Sequence, residues 1–161
     1  MYTTKMAKGI NKTLIRSHFG QSMVEFAMIL PLFVLVIIGI FDLGRAFFAF
    51  IAISNGAREG TRVYTFQPDK TTIDDITYAI TTEIGSSVSL IPVDWHNIEA
   101  IDIRCGPAYD PVNSDLALAA CPGEQPIRVT VTYTQDLILG FFFSQPLTLV
   151  RSAEMMVPWK N

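Results

Sequence analysis

The chain has 161 residues, half of them hydrophobic, with 12 Lys and Arg against 15 Asp and Glu and a formal net charge of −3. This balance gives no electrostatic footprint for nucleic acid, and the length suits one modest domain beside a membrane segment. The charge is split: Lys5, Lys8, Lys12 and Arg16 give the stretch before Gly20 +4 with no acid, whereas residues 21–161 hold eight basic against fifteen acidic side chains, hence −7.

In chain order, the cationic leader (1–20) is followed by a run from Phe26 to Phe41 that contains no charge. By the positive-inside rule the leader is cytoplasmic and everything past the helix is extracytoplasmic. The run is about 16 residues, roughly 24 Å at 1.5 Å per residue, slightly short of a full span. Asp42 and Arg45 then intervene, three apart and able to pair on one helix face, before a second apolar stretch from Ala46 to Ile53. One continuous transmembrane and stalk helix is expected from about Ser22 to about Arg62, within a segment 21–66. The Asp42–Arg45 pair is placed near the outer headgroups or inside a filament, and an interfacial ion pair without assembly meaning is the alternative. Pro31 removes one backbone donor inside that helix, which a membrane segment tolerates. Gly56 and Gly60 stand four apart, a spacing that lets helix backbones approach closely; the other reading is that they loosen the end of the stalk.

Glu25 sits at the entrance to the apolar run, where a carboxylate is costly and needs a partner that the flanking sequence does not supply. Cutting the chain after Gly20 would supply one, because the new α-amino group of Gln21 could neutralise Glu25 of the same or a neighbouring subunit. The stretch GQSMVEFAMILPLFVLVIIGIFDLGRAFF followed by NGAREGTRVYT resembles type IV pilins and pseudopilins with a class III signal. More narrowly it resembles the TadE family, minor pseudopilins of the bacterial tight-adherence (Tad/Flp pilus) system, over roughly residues 20–65. The stretch from Asp136 to Met156 is similar to the family's closing segment, less specifically. The resemblance implies that Gly20 precedes the scissile bond, that Gln21 is the mature N terminus and that Glu25 is the prepilin glutamate. Phe26 stands where related Flp pilins often carry tyrosine; it keeps the aromatic shape without the hydroxyl. The partners implied are a prepilin peptidase, other pilin or pseudopilin subunits, the Tad assembly platform and membrane lipid.

Past the stalk, Gln67-Pro68-Asp69 reads as a break, and Thr72-x-x-Asp75 as a capping box opening a helix that ends near Gly85. Ile73, Ile76, Tyr78, Ile80 and Ile84 are its expected apolar side. Period-two alternation follows at Ile101, Ile103 and Cys105, and more cleanly at Ile127, Val129, Val131 and Tyr133. Leu147 to Val157 is the expected last strand, antiparallel to its predecessor. The segment Gly106–Pro126 reads as a loop. Leu137 to Phe143 (LILGFFF) is an uncharged patch, read as core or as resting on the stalk, with a subunit contact as the other possibility. Cys105 and Cys121 are the two cysteines, both in the part placed outside, so a disulfide is expected, with two reduced buried thiols as the alternative.

The expected fold class is α+β: a long N-terminal transmembrane helix, then a small head (67–161) with a helix packed on an antiparallel sheet of three strands or slightly more. The catalytic inventory is sparse, with no G-x-S-x-G, no HExxH and no phosphate-binding glycine loop. Asp74-Asp75 and Asp94-x-His96 read as a helix N-terminal acidic pair and a loop histidine rather than as acid/base machinery. No enzyme activity, cofactor, metal site or nucleic-acid partner is expected. Two rival readings stand beside the pseudopilin: an uncleaved, single-pass, membrane-anchored binding domain that never assembles, and a secreted enzyme or toxin released by ordinary signal peptidase, with Ser54-Asn55-Gly56 as its small-residue site.

Overall fold

The computed structural model describes residues 16–86, 93–141 and 145–158. It is an α+β chain: a long apolar helix, then a small domain in which helices pack on a four-stranded antiparallel sheet. Helix α1 runs Arg16–Phe66 and contains Pro31 without ending there. It stops at the expected break, where Lys70 and Thr71 both donate their amides to the Gln67 carbonyl.

Two compact units divide the chain, Met1–Ile40 and Phe41–Asn161. In the first, the described residues are helix, and from Gly20 to Ile37 every one is exposed. The second unit has its own hydrophobic core, and the latter part of α1 is one wall of it.

Helix α2, Ile73–Ser86, begins on a reciprocal capping box. The Thr72 amide donates to Asp75 Oδ2 at 2.9 Å, and the Asp75 amide donates to Thr72 Oγ1 at 3.2 Å, so both ends of the first turn are satisfied. Ile76, Ile80 and Ile84 are spaced one turn apart and are fully buried. Tyr78, expected on the same side, is 72% exposed on the other.

The sheet order is β2-β1-β3-β4, with β1 at Ile98–Cys105, β2 at Asp110–Pro111, β3 at Pro126–Gln135 and β4 at Leu147–Met156. All pairings are antiparallel, and β3 is central, matched residue for residue from Gln135↔Leu147 to Pro126↔Met156 with β4. In β3 Ile127, Val129, Val131 and Tyr133 are buried, as the alternation predicts, while Arg128, Thr130 and Thr132 face the other way and are half-buried. The segment Gly106–Pro126 is more ordered than a plain loop: it contains β2 and a short helix α3, Asp115–Ala119, capped by Ser114 Oγ accepting from the Ala117 amide.

One core joins these elements. Ala49, Ala52, Ile53, Ala57 and Tyr64 come from α1, the three isoleucines from α2, and Ile103, Ile127, Val129 and Val131 from the sheet, with Leu118 of α3 and Val157 closing it. Tyr64 is fully buried, and its hydroxyl donates to the Leu118 carbonyl at 2.9 Å, so burying the polar tip leaves it satisfied.

Candidate functional site

The chemistry-bearing residues lie in two places, described separately. Near the start of α1, the Gly20–Gln21 peptide bond lies inside helix, and Gln21, Glu25 and Phe26 are all exposed. Positions 21 and 25 are one turn apart on the same face, and Gln21 Nε2 donates to Glu25 Oε1 at 3.4 Å. That contact is long and its donor is neutral, so it supplies no charge opposite the Glu25 carboxylate.

In the head unit, the inner face of α1 carries the rest. Asp42 is only 5% exposed. Its carboxylate accepts the amides of Ile138 at 2.9 Å and Leu139 at 2.8 Å, the free amides that open the 3-10 turn Ile138–Phe141. Arg45 lies one turn on, with Nη1 at 3.7 Å from Asp42 Oδ1 and at 3.4 Å from the Asp136 carbonyl that it donates to. The pair is therefore a clasp between α1 and the segment leading into β4. Leu137–Phe141 rests on α1 through it, and Phe142 and Phe143 lie outside the described residues.

Higher on the same face, Gly56 and Gly60 meet α2. A Cβ placed on Gly60 would stand 2.8 Å from both Cγ1 and Cδ1 of Ile80, and one on Gly56 would stand 2.9 Å from Ile84 Cγ1. The small-residue spacing thus serves a seam inside the chain, into which Ile76, Ile80 and Ile84 fit like ridges. Cys105 and Cys121 are both buried in the same core.

Other polar groups are local. Asp94 caps the 3-10 turn Trp95–Asn97 by accepting the His96 amide at 3.0 Å, and its carboxylate also meets His96 Nδ1 at 2.7 Å. The His96 amide, and then its ring, hold the exposed Asp94 carboxyl below the usual carboxylate range. On the outer face of the sheet Arg128 pairs with Glu154 at 2.8 Å and stacks on Tyr109 at 3.9 Å. Among the described residues no group of three or more His, Cys, Asp and Glu side chains converges as metal ligands would. What the arrangement offers is packing surface and one carboxylate at the helix start.

The charge-poor helix whose inner face is lined by small residues is the stretch that comparison with known families picks out. Residues 20–62 match the TadE-like protein family. The match opens at Gly20 and ends four residues short of the end of α1, so it covers less than half of the chain and nearly all of that helix. The TadE-like resemblance read from the residues is thus borne out over this stretch, and it points to the Tad pilus system. The TadE-like helix is also long and apolar enough to cross a membrane, consistent with a single-pass membrane protein. No curated protein and no solved structure matches the chain.

Proposed function

We propose that this protein is a minor pseudopilin-like structural component of the Tad pilus, inserted as a single-pass precursor with its N terminus cytoplasmic and its head outside. A prepilin peptidase cuts between Gly20 and Gln21, and the mature subunit enters the filament or its assembly platform through its apolar stem. The peptidase supplies the chemistry; this chain is its substrate. The observation that carries the reading is the family match beginning at Gly20, joined to a Glu25 that accepts from the neutral side chain of Gln21. Cleavage puts a cationic amine on that same residue, one helical turn from the carboxylate.

Because the scissile bond lies within α1, the peptidase must open a turn of helix to reach it, and glycine at position 20 lowers that cost by about 1 kcal/mol relative to alanine. N-terminal mass mapping of the protein from native membranes, with and without the peptidase, tests the proposal. A mature chain starting at Gln21, with the full leader returning when the peptidase is absent, is the expected result. A start at Met1 in both would replace the proposal with the uncleaved membrane-anchored binding domain. Glu25→Ala is expected to insert in the membrane yet fail to assemble, and normal pili from that variant would remove the role given to Glu25.

A further inference from the structure

Within the head unit, α1 has two unlike faces. The inner one carries Ala46, Ala49, Ala52, Gly56, Ala57 and Gly60, with the two charges that precede Asn55, Asp42 and Arg45, turned toward the 3-10 turn at Ile138. The outer one carries Leu43, Phe47, Phe48, Phe50 and Ile51, all exposed, and stays apolar until the helix reaches Asn55 and Arg58. A soluble domain rarely leaves such a contiguous apolar surface bare.

We infer that the base of the head is seated in the outer interfacial layer of the membrane, with this outer face of α1 and the exposed Ile138 against lipid. The inference rests on the membrane-spanning reading of α1 and extends it. From Phe26 to Ile51 the outward residues carry no charge. That is about 26 residues, roughly 39 Å at 1.5 Å per residue, against a hydrocarbon core of about 30 Å and a bilayer of about 40–45 Å with its headgroups. An uncharged run of that length is longer than the hydrocarbon needs, which leaves its last part, with Phe47, Phe50 and Ile51, for the interfacial layer, and Asp42 comes before that part. A bare carboxylate there would be costly. Asp42 is not bare, because two backbone amides and Arg45 neutralise it, and the turn that supplies those amides presents Ile138, 56% exposed, at the same level. At the upper limit of the band, the Arg151 guanidinium lies 4.4 Å over the Phe50 ring, a cation–π contact that places a cation beside the apolar face where the uncharged band ends.

Lipid fits this face better than a second helix does. Helices that associate in membranes present small residues to each other so that backbones can approach. Here most of the small residues are used on the inner face, and apart from Gly44, which has open space beside it, the outer face is built of phenylalanine, leucine and isoleucine, which suit acyl chains.

Spin labels on single introduced cysteines, Met28→Cys, Phe47→Cys, Ile138→Cys and Asn55→Cys, in the full chain test this in vesicles of phosphatidylethanolamine and phosphatidylglycerol, with the unsubstituted chain as background for the buried native cysteines. Collision rates with oxygen and with a water-soluble nickel chelate are compared. The expected result is oxygen exceeding nickel several-fold at Phe47 and Ile138, as at Met28, and the reverse at Asn55. If Phe47 and Ile138 behave like Asn55 while Met28 stays in lipid, the seating is overturned and the membrane anchor survives. If all four sites are in water, the spanning reading fails and takes the inference with it. Exclusion of both reagents at Phe47 together with dipolar broadening would mean that a second copy covers the face, which also overturns it.

Discussion

Substituting alanine for Gly60 separates a packing role from a loosening role, because the two predict opposite signs. Alanine in place of a helical glycine ordinarily stabilises by about 1 kcal/mol, through helix propensity and a less free unfolded chain. At Gly60 the added methyl would stand 2.8 Å from two carbons of Ile80 and 3.2 Å from Ile76 Cγ2. Carbon pairs prefer about 3.5–4.0 Å, so α2 must retreat by several tenths of an ångström or Ile80 must change rotamer. Ile80 is fully buried and has nowhere open to turn. Overpacking of this kind costs about 1–3 kcal/mol, which leaves a net loss of about 1 kcal/mol, a fall of roughly 4 °C in Tm for a domain of this size. Gly44, on the same helix with nothing within 4 Å of its hypothetical Cβ, is the control, and Gly44→Ala should melt higher than the parent. Thermal unfolding of the full chain in detergent micelles, followed by near-ultraviolet circular dichroism, reads the difference. Combining Gly60→Ala with Ile80→Val should recover part of the loss, a non-additivity expected only of residues in contact. If Gly60→Ala melts at or above the parent, the seam between α1 and α2 does not carry the close contact described.

Three further outcomes are expected. Asp42→Ala leaves the half-buried amides of Ile138 and Leu139 without their acceptor and should destabilise the head by about 1–3 kcal/mol, with new protease cleavage around residues 136–141; Asp42→Asn, which keeps one acceptor oxygen, should lose less. Asp75, held below the usual carboxylate range by the Thr72 amide and then its hydroxyl, favours the folded state above the unfolded carboxyl pKa of about 3.9 and loses that contribution as pH falls through its lower folded value. Melting temperature against pH should therefore drop on the acid side of about pH 4, and the drop should be shallower in Asp75→Asn. Finally, a head exposed to an oxidising compartment is expected to join Cys105 to Cys121; alkylation of the denatured protein from native membranes should then find no free thiol, and reduction should cost about 3 kcal/mol, whereas two alkylated thiols would make the pair simple core residues.

The sequence made local rules easy to read. The capping box at Thr72 and Asp75, the isoleucines one turn apart in α2 and the alternation of β3 each depend on neighbours within a few positions, and each stands where expected. The segment between β1 and β3 was less legible, because β2 is two residues long and α3 five, too short for a period to show. Ser114-Asp115 ahead of Leu116 and Leu118 was the available signal for α3, a helix cap followed by apolar spacing. The partners of Asp42 could not be read at all: spacing alone suggested Arg45, but the stronger hydrogen bonds come from amides 96 and 97 positions away. Side-chain spacing likewise marked Gly56 and Gly60 as a packing site without saying whose helix would fill it. The exposed Tyr78 has the same origin, since a helix of fourteen residues can be apolar on a second side without burying it.

The latter part of α1 is a wall of the head's core as well as a stem, so the two cannot be separated by a cut at the end of the helix. A soluble fragment starting at Thr71 would lack Ala49, Ala52, Ile53, Ala57 and Tyr64, and would open the buried isoleucines of α2 and the carbonyl of Leu118 to water. Such a fragment should aggregate or remain molten. A fragment starting at Phe41 keeps the wall and brings the bare outer face with it, so it will need detergent even though it leaves most of the apolar run behind.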